Sequence, residues 1–555
     1  MQSKTAIKTY GFIVFAIMAS KLLGLVRDAL MANFYGTGME AAAFSAASRI
    51  PLTIFDITLG TAVAAAFIPV MNRFLQNDGK ERAFKFVNNF LNAVLLVAIV
   101  IAALICIFPG AVVNLLASGF TGDTFSLCAS LLMIFTPIIL LAAMCYTFVG
   151  VLQSFGSFKI PAIMSLLSNA LMVLYFVTLN ERFGIGGLAA ALVIGWVMQL
   201  VILLPPLYKF GYRFRFGIDF KDDGLRSSVK MAGPVLISSW VMPINNLITL
   251  NIASYYASWG VTVLDYSYKL YFIVAGVFSY AMTNLYFPSL SRMQAAGDRE
   301  GARDMLYTMI KSVTLIVVPV AAFFIVFSRG IVRVVYESGS FSAGDGQMTA
   351  LALMMYTVGM FGFSWQEILN KYFYSSGDSK TPMKVAIGSI VINLALALVL
   401  SRTPMGIYGI ALSSAASITY AGAALYALQN RRDGKKTDGR MGAFVGKSVI
   451  MFVISCAVMC VLSYFMSKLT LGRFTTLAAL IVAFAVSGVV YLAAAKALRV
   501  SEVTDIAAQL FGRFRGKASA EDGGENAEPE RLEEAREAEE SVSVPEAEEE
   551  KEENR

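Results

Sequence analysis

Residues 86–108 read FVNNFLNAVLLVAIVIAALICIF. From Ala93 to Phe108 there is no polar group except the Cys106 thiol. As a helix rising about 1.5 Å per residue, such a run is long enough to cross a hydrocarbon core about 30 Å thick. Thirteen further stretches are comparable in length. The fourteen expected helices are 9–33, 40–72, 86–108, 125–154, 159–179, 185–208, 229–257, 264–290, 307–328, 346–374, 382–401, 405–429, 444–467 and 474–498. The chain therefore reads as an all-α polytopic membrane protein with fourteen transmembrane helices.

Composition agrees: 57% of the 555 residues are hydrophobic and 15% are charged. There is no histidine, which excludes His-based metal sites, general bases and proton relays. The five cysteines, Cys106, Cys128, Cys145, Cys456 and Cys460, all lie in apolar runs without metal-ligand spacing. They read as packing or lipid-facing residues. No nucleophile–base pair or metal constellation suggests an enzyme, and no metal or other cofactor is expected.

Basic residues alternate between gaps. Arg73, Lys80, Arg82 and Lys85 follow the second helix, and Lys209, Arg213, Arg215, Lys221 and Arg226 follow the sixth. The gaps after the first, third and seventh helices have none. By the positive-inside rule both termini are cytoplasmic.

An internal repeat runs through the chain. Pro69 and Arg73 match Pro288 and Arg292 at an offset of 219, and Gly110 and Ser118-Gly119 match Gly330 and Ser338-Gly339 at 220. Gly156, Lys159 and Pro161 match Gly377, Lys380 and Pro382 at 221. Six helices per copy is an even number, so the two copies are parallel, related by an axis along the membrane normal. The expected organisation is an N-terminal lobe (1–220), a C-terminal lobe (221–432), two additional helices (433–517) and an acidic tail (518–555). The tail holds 16 acidic against 4 basic residues, so the preceding 517 residues carry a net +19 against +7 for the whole chain. Such a tail is expected to be disordered and cytoplasmic; it reads as a solvated extension or as a docking segment for a cytoplasmic partner. A basic body suits anionic lipids or an anionic substrate rather than nucleic acid, for which no motif is present.

Charged residues inside the apolar runs point to function. A charge at the bilayer centre costs about 2.5–3.5 kcal/mol even on a lenient scale, so it is retained where it meets water, a partner or a ligand. Lys21, Gly24 and Asp28 share one face of the first helix at i, i+3 and i+7, with Arg27 to one side. Arg49, Thr53 and Asp56 form a stripe on the second. Lys269 lies on the eighth helix at nearly the repeat position of Arg49, and Asp265 near that helix's outer end. Two readings stand. The charges are internal ion pairs, Lys21 with Asp56 and Arg27 or Arg49 with Asp28. Alternatively, the four cations Lys21, Arg27, Arg49 and Lys269 outnumber Asp28 and Asp56 and bind an anion, with the Lys21–Asp56 pair and Gly24 serving gating. Pro51 and Pro243 kink their helices, either as static bends or as parts of an alternating-access motion.

The run Ser20-Lys21-Leu22-Leu23-Gly24-Leu25-Val26-Arg27-Asp28, with Phe34-Tyr35-Gly36-Thr37-Gly38, Ala66-Phe67-Ile68-Pro69-Val70, Tyr336-Glu337-Ser338-Gly339-Ser340-Phe341 and Ser379-Lys380-Thr381-Pro382, resembles the MurJ (MviN) lipid II flippase family. That family lies within the MATE-like multidrug/oligosaccharidyl-lipid/polysaccharide exporter superfamily. The resemblance implies an alternating-access carrier in the bacterial cell membrane. Its substrate would be the undecaprenyl-pyrophosphate-linked peptidoglycan precursor, moved from the inner to the outer leaflet. The cationic cavity would hold the pyrophosphate, and the last two helices would line a groove for the polyprenyl tail. Departures are Lys21 and Lys269 where the family usually has Arg, and Asp56 at a basic position. Where some relatives place sodium, Asn245, Asn246, Thr249, Asn393 and Ala397 offer no carboxylate, so no sodium site is expected. Other readings are a flippase for a different lipid-linked polysaccharide or a sporulation precursor, and a cation-coupled small-molecule exporter.

Overall fold

The computed structural model describes residues 2–60, 67–432, 439–469 and 472–500, all helices and connecting turns. The acidic tail and its expected partner contact lie outside the described residues. The first half comprises α1 (Gln2–Tyr35), α2 (Met39–Phe55), α3 (Ile68–Asn77), α4 (Gly79–Ile107), α5 (Pro109–Leu116), α6 (Gly122–Phe135), α7 (Ile138–Ser154), α8 (Lys159–Thr178) and α9 (Asn180–Lys209). The second comprises α10 (Asp223–Ser239), α11 (Val241–Ser254), α12 (Ala257–Ala295), α13 (Arg299–Val326), α14 (Ser328–Tyr336), α15 (Ala343–Val358), α16 (Met360–Ser375), α17 (Lys380–Leu400) and α18 (Ile407–Arg432). Two further helices complete the set, α19 (Gly439–Ser467) and α20 (Arg473–Ala497).

Among the described residues, nine helices or joined helices are long and apolar enough to cross a membrane, or ten if the bent pair α15–α16 is one span. The expected 86–108 helix is one of them, as α4. The other expected crossings fall on α1, with three charges in eight residues, on the broken helices α2–α3 and α10–α11, and on the long, polar α12.

The order of elements recurs. A long helix, a short helix, a broken helix and two further long ones run from α4 to α9, and again from α13 to α18. The breaks have chemical causes. Pro51 lies inside α2, and a π-helical turn occupies Asp56–Gly60; Pro137 separates α6 from α7. Proline withdraws a donor and clashes with the preceding turn, and a π-turn rotates the register of the residues beyond it.

The connection from α9 to α10 is fixed along α4. Asn88 Nδ2 donates to the Arg213 carbonyl (3.1 Å), Asn89 Nδ2 to Asp219 (2.8 Å), and Asn92 Nδ2 to Arg215 (2.8 Å). Asn89 Oδ1 in turn accepts from the Asp219 amide. The polar start of the 86–108 run thus serves as an amide ladder for an otherwise unpaired backbone. It brings Asp222 to Arg82 on α4 (2.7 Å).

At the end of α1, two repeat-related turns each clasp the opposite half. Between α5 and α6, the Gly119 amide donates to Ser254 Oγ (2.8 Å), and Ser118 Oγ accepts from Asn251 Nδ2 (2.9 Å). Between α14 and α15, the Ser340 amide donates to the Asn33 carbonyl (2.8 Å), and Ser340 Oγ donates to the Phe34 carbonyl (3.1 Å). Thr37 Oγ1 donates to Asp345 (2.5 Å), whose carboxylate also closes the capping box of α15. A Cβ on Gly119 would overlap the Ser254–Tyr255 backbone, and one on Gly339 the Asn33 carbonyl. The repeated Ser-Gly pairs are thus points where opposite backbones come close together.

Either Gly119→Val or Gly339→Val should separate the halves at this end while leaving the helices intact. Spin labels at Met39 and Ala343, both exposed, should report a longer distance in each variant than in the parent. An unchanged distance would show that these turns do not hold the end closed.

Candidate functional site

Five charged residues of α1, α2 and α12 form one chain of alternating sign. Arg27 donates to Asp28 Oδ1 through Nε (3.1 Å) and Nη2 (2.9 Å). Its third nitrogen, Nη1, donates to Asn169 Oδ1 on α8 (3.0 Å). Asp28 Oδ1 also meets Lys269 Nζ on α12 (3.3 Å), and Lys269 reaches Asp265 one turn earlier (2.9 Å). Asp265 completes the chain by pairing with Arg49 on α2, and it accepts from Ser45 Oγ (3.2 Å). Four helices from both halves are tied through seven side chains.

Exposure divides by sign. The Asp28 and Asp265 side chains are 9% and 3% exposed, whereas those of Arg27, Arg49 and Lys269 keep 26%, 23% and 32%. The acids are withdrawn into the protein and the cations face the open side. An approaching molecule meets guanidinium and ammonium groups whose counter-charges lie behind them. Arg offers a planar fork and Lys a compact charge, the two kinds of group that hold anions with several oxygens.

Several expectations change. Lys21 and Asp56 are both exposed, and among the described residues neither makes an ion pair. The expected pair assumes an unbroken stripe along the second helix; Pro51 and the π-turn beginning at Asp56 break that register. Arg49 pairs with Asp265 rather than Asp28. Gly24 lies within the continuous α1 against the Asn169 amide, where a Cβ would make ordinary contact at 3.5 Å.

The second buried acid of the cluster is thus Asp265, not Asp56. The expected helix begins at residue 264, which places Asp265 at its edge. The observed helix begins at Ala257, which sets Asp265 about 12 Å inside. Asn169 is a further member that the sequence reading does not single out, although an amide in the middle of an apolar run carries its own signal.

The positions compared with sodium ligands hold a neutral network instead. Asn393 Nδ2 donates to Asn245 Oδ1 (3.1 Å), and Asn393 Oδ1 accepts from Ser413 Oγ (3.0 Å). Among the described residues no group of three His, Cys, Asp or Glu could hold a metal.

A family profile described as Lipid II flippase MurJ matches residues 31–485. The chain belongs to the lipid II flippase MurJ family. The probable lipid II flippase MurJ of Rickettsia prowazekii is 23% identical over 456 residues, covering 82% of this chain and 89% of that protein. The lipid II flippase MurJ of Burkholderia cenocepacia is 27% identical over 384 residues, covering 68% and 74%. A solved structure titled lipid II flippase MurJ, inward closed conformation, superposes with a TM-score of 0.73 at 21% identity, covering 86% of this chain and 97% of that one. An inward-facing multidrug resistance MATE family transporter of the MOP superfamily has the same overall fold, with a TM-score of 0.61 and 17% identity. As a MurJ-family member with many apolar helices, the chain is a multi-pass protein of the bacterial cytoplasmic membrane. The family match begins after Lys21, Arg27 and Asp28.

Removing one partner of a buried pair leaves an uncompensated charge, typically about 3–5 kcal/mol unfavourable. Asp265→Ala should therefore lower the thermal midpoint in detergent markedly, and Arg49→Ala combined with it should lower it less than the sum of the two. The Lys21→Ala/Asp56→Ala cycle should be additive within about 0.5 kcal/mol. Coupling in the second cycle and none in the first would invert the assignment.

Proposed function

We propose that this protein carries lipid II, or a closely similar undecaprenyl-pyrophosphate-linked glycan, from the inner to the outer leaflet by alternating access. The observation that carries the reading is the segregation of charge: three partly exposed cations, from both halves of the chain, stand in front of two buried carboxylates. No covalent bond is made or broken. The protein gives a polar headgroup a charged path while the apolar tail remains in lipid.

In this reading the chain crosses fourteen times with both termini inside. The crossings are α1, α2–α3, α4, α6–α7, α8, α9, α10–α11, α12, α13, α15–α16, α17, α18, α19 and α20. The clasped turns at Ser118-Gly119 and Gly339-Ser340 then lie at the outer face, which is closed in this conformation. Arg27, Arg49 and Lys269 bind the pyrophosphate, with Asp28 orienting Arg27 and Lys269; Lys21 stands at the edge of the same path. Gly24, on the face of α1 that meets Asn169 of α8, serves gating by letting α1 shift against α8.

The apolar tail has a matching surface. A groove of about 300 Å³ runs between Phe323, Ile331 and Val334 on one side and Leu480, Ile481 and Phe484 of α20 on the other. It is almost wholly apolar, which gives the otherwise unrepeated α20 a use as a wall for a polyprenyl chain. With the cell interior negative, moving the anionic headgroup outward is favoured by about 2.3 kcal/mol per charge per 100 mV for a full crossing.

Arg27→Ala should abolish outward movement of labelled lipid II in reconstituted vesicles, with normal amounts of protein in the membrane. Arg27→Lys should retain part of it, because charge is kept and only the fork is lost. Undiminished transport by Arg27→Ala would remove the anion-binding argument.

Topology is checked independently. Single cysteines at Asp78 and Phe220 should react with a membrane-impermeant maleimide only in inverted vesicles, and those at Thr121 and Tyr255 only in intact cells. All four positions are exposed. The opposite pattern would place the clasped turns in the cytoplasm.

A further inference from the structure

Far from the charge chain, at the opposite end of α1, a second basic site forms where the two halves meet. A cleft of about 600 Å³ is lined by Arg73 and Phe74 of α3, Arg82 of α4, and Arg226 and Lys230 of α10, four cations against the two acids Asp78 and Asp223 that also line it. Its construction is specific. The Phe74 ring lies between two guanidinium groups, 5.1 Å from Arg73 Cζ and 4.3 Å from Arg82 Cζ. These contacts hold both forks against one aromatic ring.

Arg82 is held from behind, with Nη2 on Asp222 (2.7 Å). Its Nη1 is buried and has no hydrogen-bond partner, and a buried donor without an acceptor is costly. Arg73, Arg226 and Lys230 are exposed and make no ion pair among the described residues. The first amides of α4 add donors, since Asp78 precedes that helix without capping it through its side chain. The α10 side of the cleft is placed there by the amide ladder on α4 and by Gly224, where a Cβ would overlap Phe74 and Phe86.

We propose that this cleft is a phosphate-binding site that bridges the two halves and takes the phosphate of an anionic lipid headgroup. Phosphate oxygens accept simultaneously from the stacked guanidiniums of the first half and from Arg226 and Lys230 of the second. Occupancy ties α3 and α4 to α10 and so favours the conformation in which this end is held together. The lipid source is set by the membrane location of the chain: these residues lie at the ends of apolar helices, where headgroup phosphates are concentrated. The proposal does not depend on which glycan is carried, and it survives failure of the transport reading.

The test uses the full-length protein in neutral detergent and three probes: dihexanoyl phosphatidylglycerol, dihexanoyl phosphatidylcholine and inorganic pyrophosphate. The phosphatidylglycerol should bind at least about tenfold more tightly than the phosphatidylcholine. Arg226→Gln/Lys230→Gln should lose at least about tenfold of that affinity, with the ligand-free thermal midpoint unchanged. Arg73→Gln, an exposed single change, should lose affinity in the same direction and serves if the double variant fails to accumulate. Binding of phosphatidylglycerol that these variants remove, with any pyrophosphate binding left unchanged by them, supports the lipid headgroup. Equal binding of pyrophosphate, lost in the same variants, supports the phosphate site but overturns its lipid source. Equal affinity for the two lipids without pyrophosphate binding, or variants that bind like the parent, overturns the site.

Discussion

Two buried carboxylates, Asp28 and Asp265, are the constraint on which the arrangement of the centre depends. Each is too deep to be left without partners, because an isolated ionised carboxyl loses far more hydration than packing returns. Each finds one partner in its own half and one in the other. Asp28 takes Arg27 and Lys269; Asp265 takes Lys269 and Arg49. The two halves are joined here by reciprocal ion pairs rather than by an apolar seam. Such a joint is specific in geometry yet can be exchanged for other oxygen acceptors. A pyrophosphate presents the same chemistry as the carboxylates it would compete with. In the proposed function, arrival of the headgroup weakens the ties between halves at the point where the halves must move. Its ability to shift that balance is limited to its differential affinity for the two conformations.

The ends of the molecule solve the same problem differently. At the end of α1, contact is made by backbone and hydroxyl groups, through the Ser-Gly turns that the repeat supplies twice. Neutral hydrogen bonds of this kind are modest individually, about 0.5–1.5 kcal/mol each. Two such clasps can therefore hold a face closed without making its opening prohibitive. At the other end, stacked Arg and Phe side chains meet the start of α10 in a cleft that retains an unsatisfied donor, Arg82 Nη1. One end is closed by groups that satisfy one another, and the other leaves capacity for a ligand.

The long apolar helices are legible in the sequence because period and length alone specify a bilayer crossing; α4, α13 and α19 require nothing else. The repeat is legible for a different reason. Glycine and proline at turns are dictated by backbone geometry, so Ser118-Gly119 and Ser338-Gly339 keep their identity where surrounding apolar residues interchange freely. Legibility fails where a helix departs from ideal geometry. A stripe through Arg49 and Asp56 extrapolates across Pro51 into a π-turn, which makes an exposed acid look like a partner for Lys21. Asp265 is obscured by a boundary: the apolar run suggests a start near residue 264, but α12 already begins at Ala257, since hydrogen-bonded backbone rather than side-chain polarity decides where a helix starts. Pairing across elements, such as Arg27 with Asn169 or Arg49 with Asp265, has no one-dimensional signature at all.

The lysine at position 269, where the resemblance leads one to expect arginine, is explained by this two-acid arrangement. Its Nζ lies 3.3 Å from Asp28 and 2.9 Å from Asp265, carboxylates on different helices that approach it from different directions. A guanidinium is suited to one planar acceptor engaged edge-on by a parallel pair of N–H groups. An ammonium with three rotatable donors can divide itself between two acceptors whose planes are unrelated. Arg27 shows the converse. Its acceptors, Asp28 and Asn169, are met by separate nitrogens of one fork, and a lysine there could not span both with the same fixed orientation. The choice of cation at each position therefore depends on how many acids it must serve and from what angles. Asp265, the acid that gives Lys269 its second contact, is the local feature that makes the exchange of arginine for lysine intelligible in this chain.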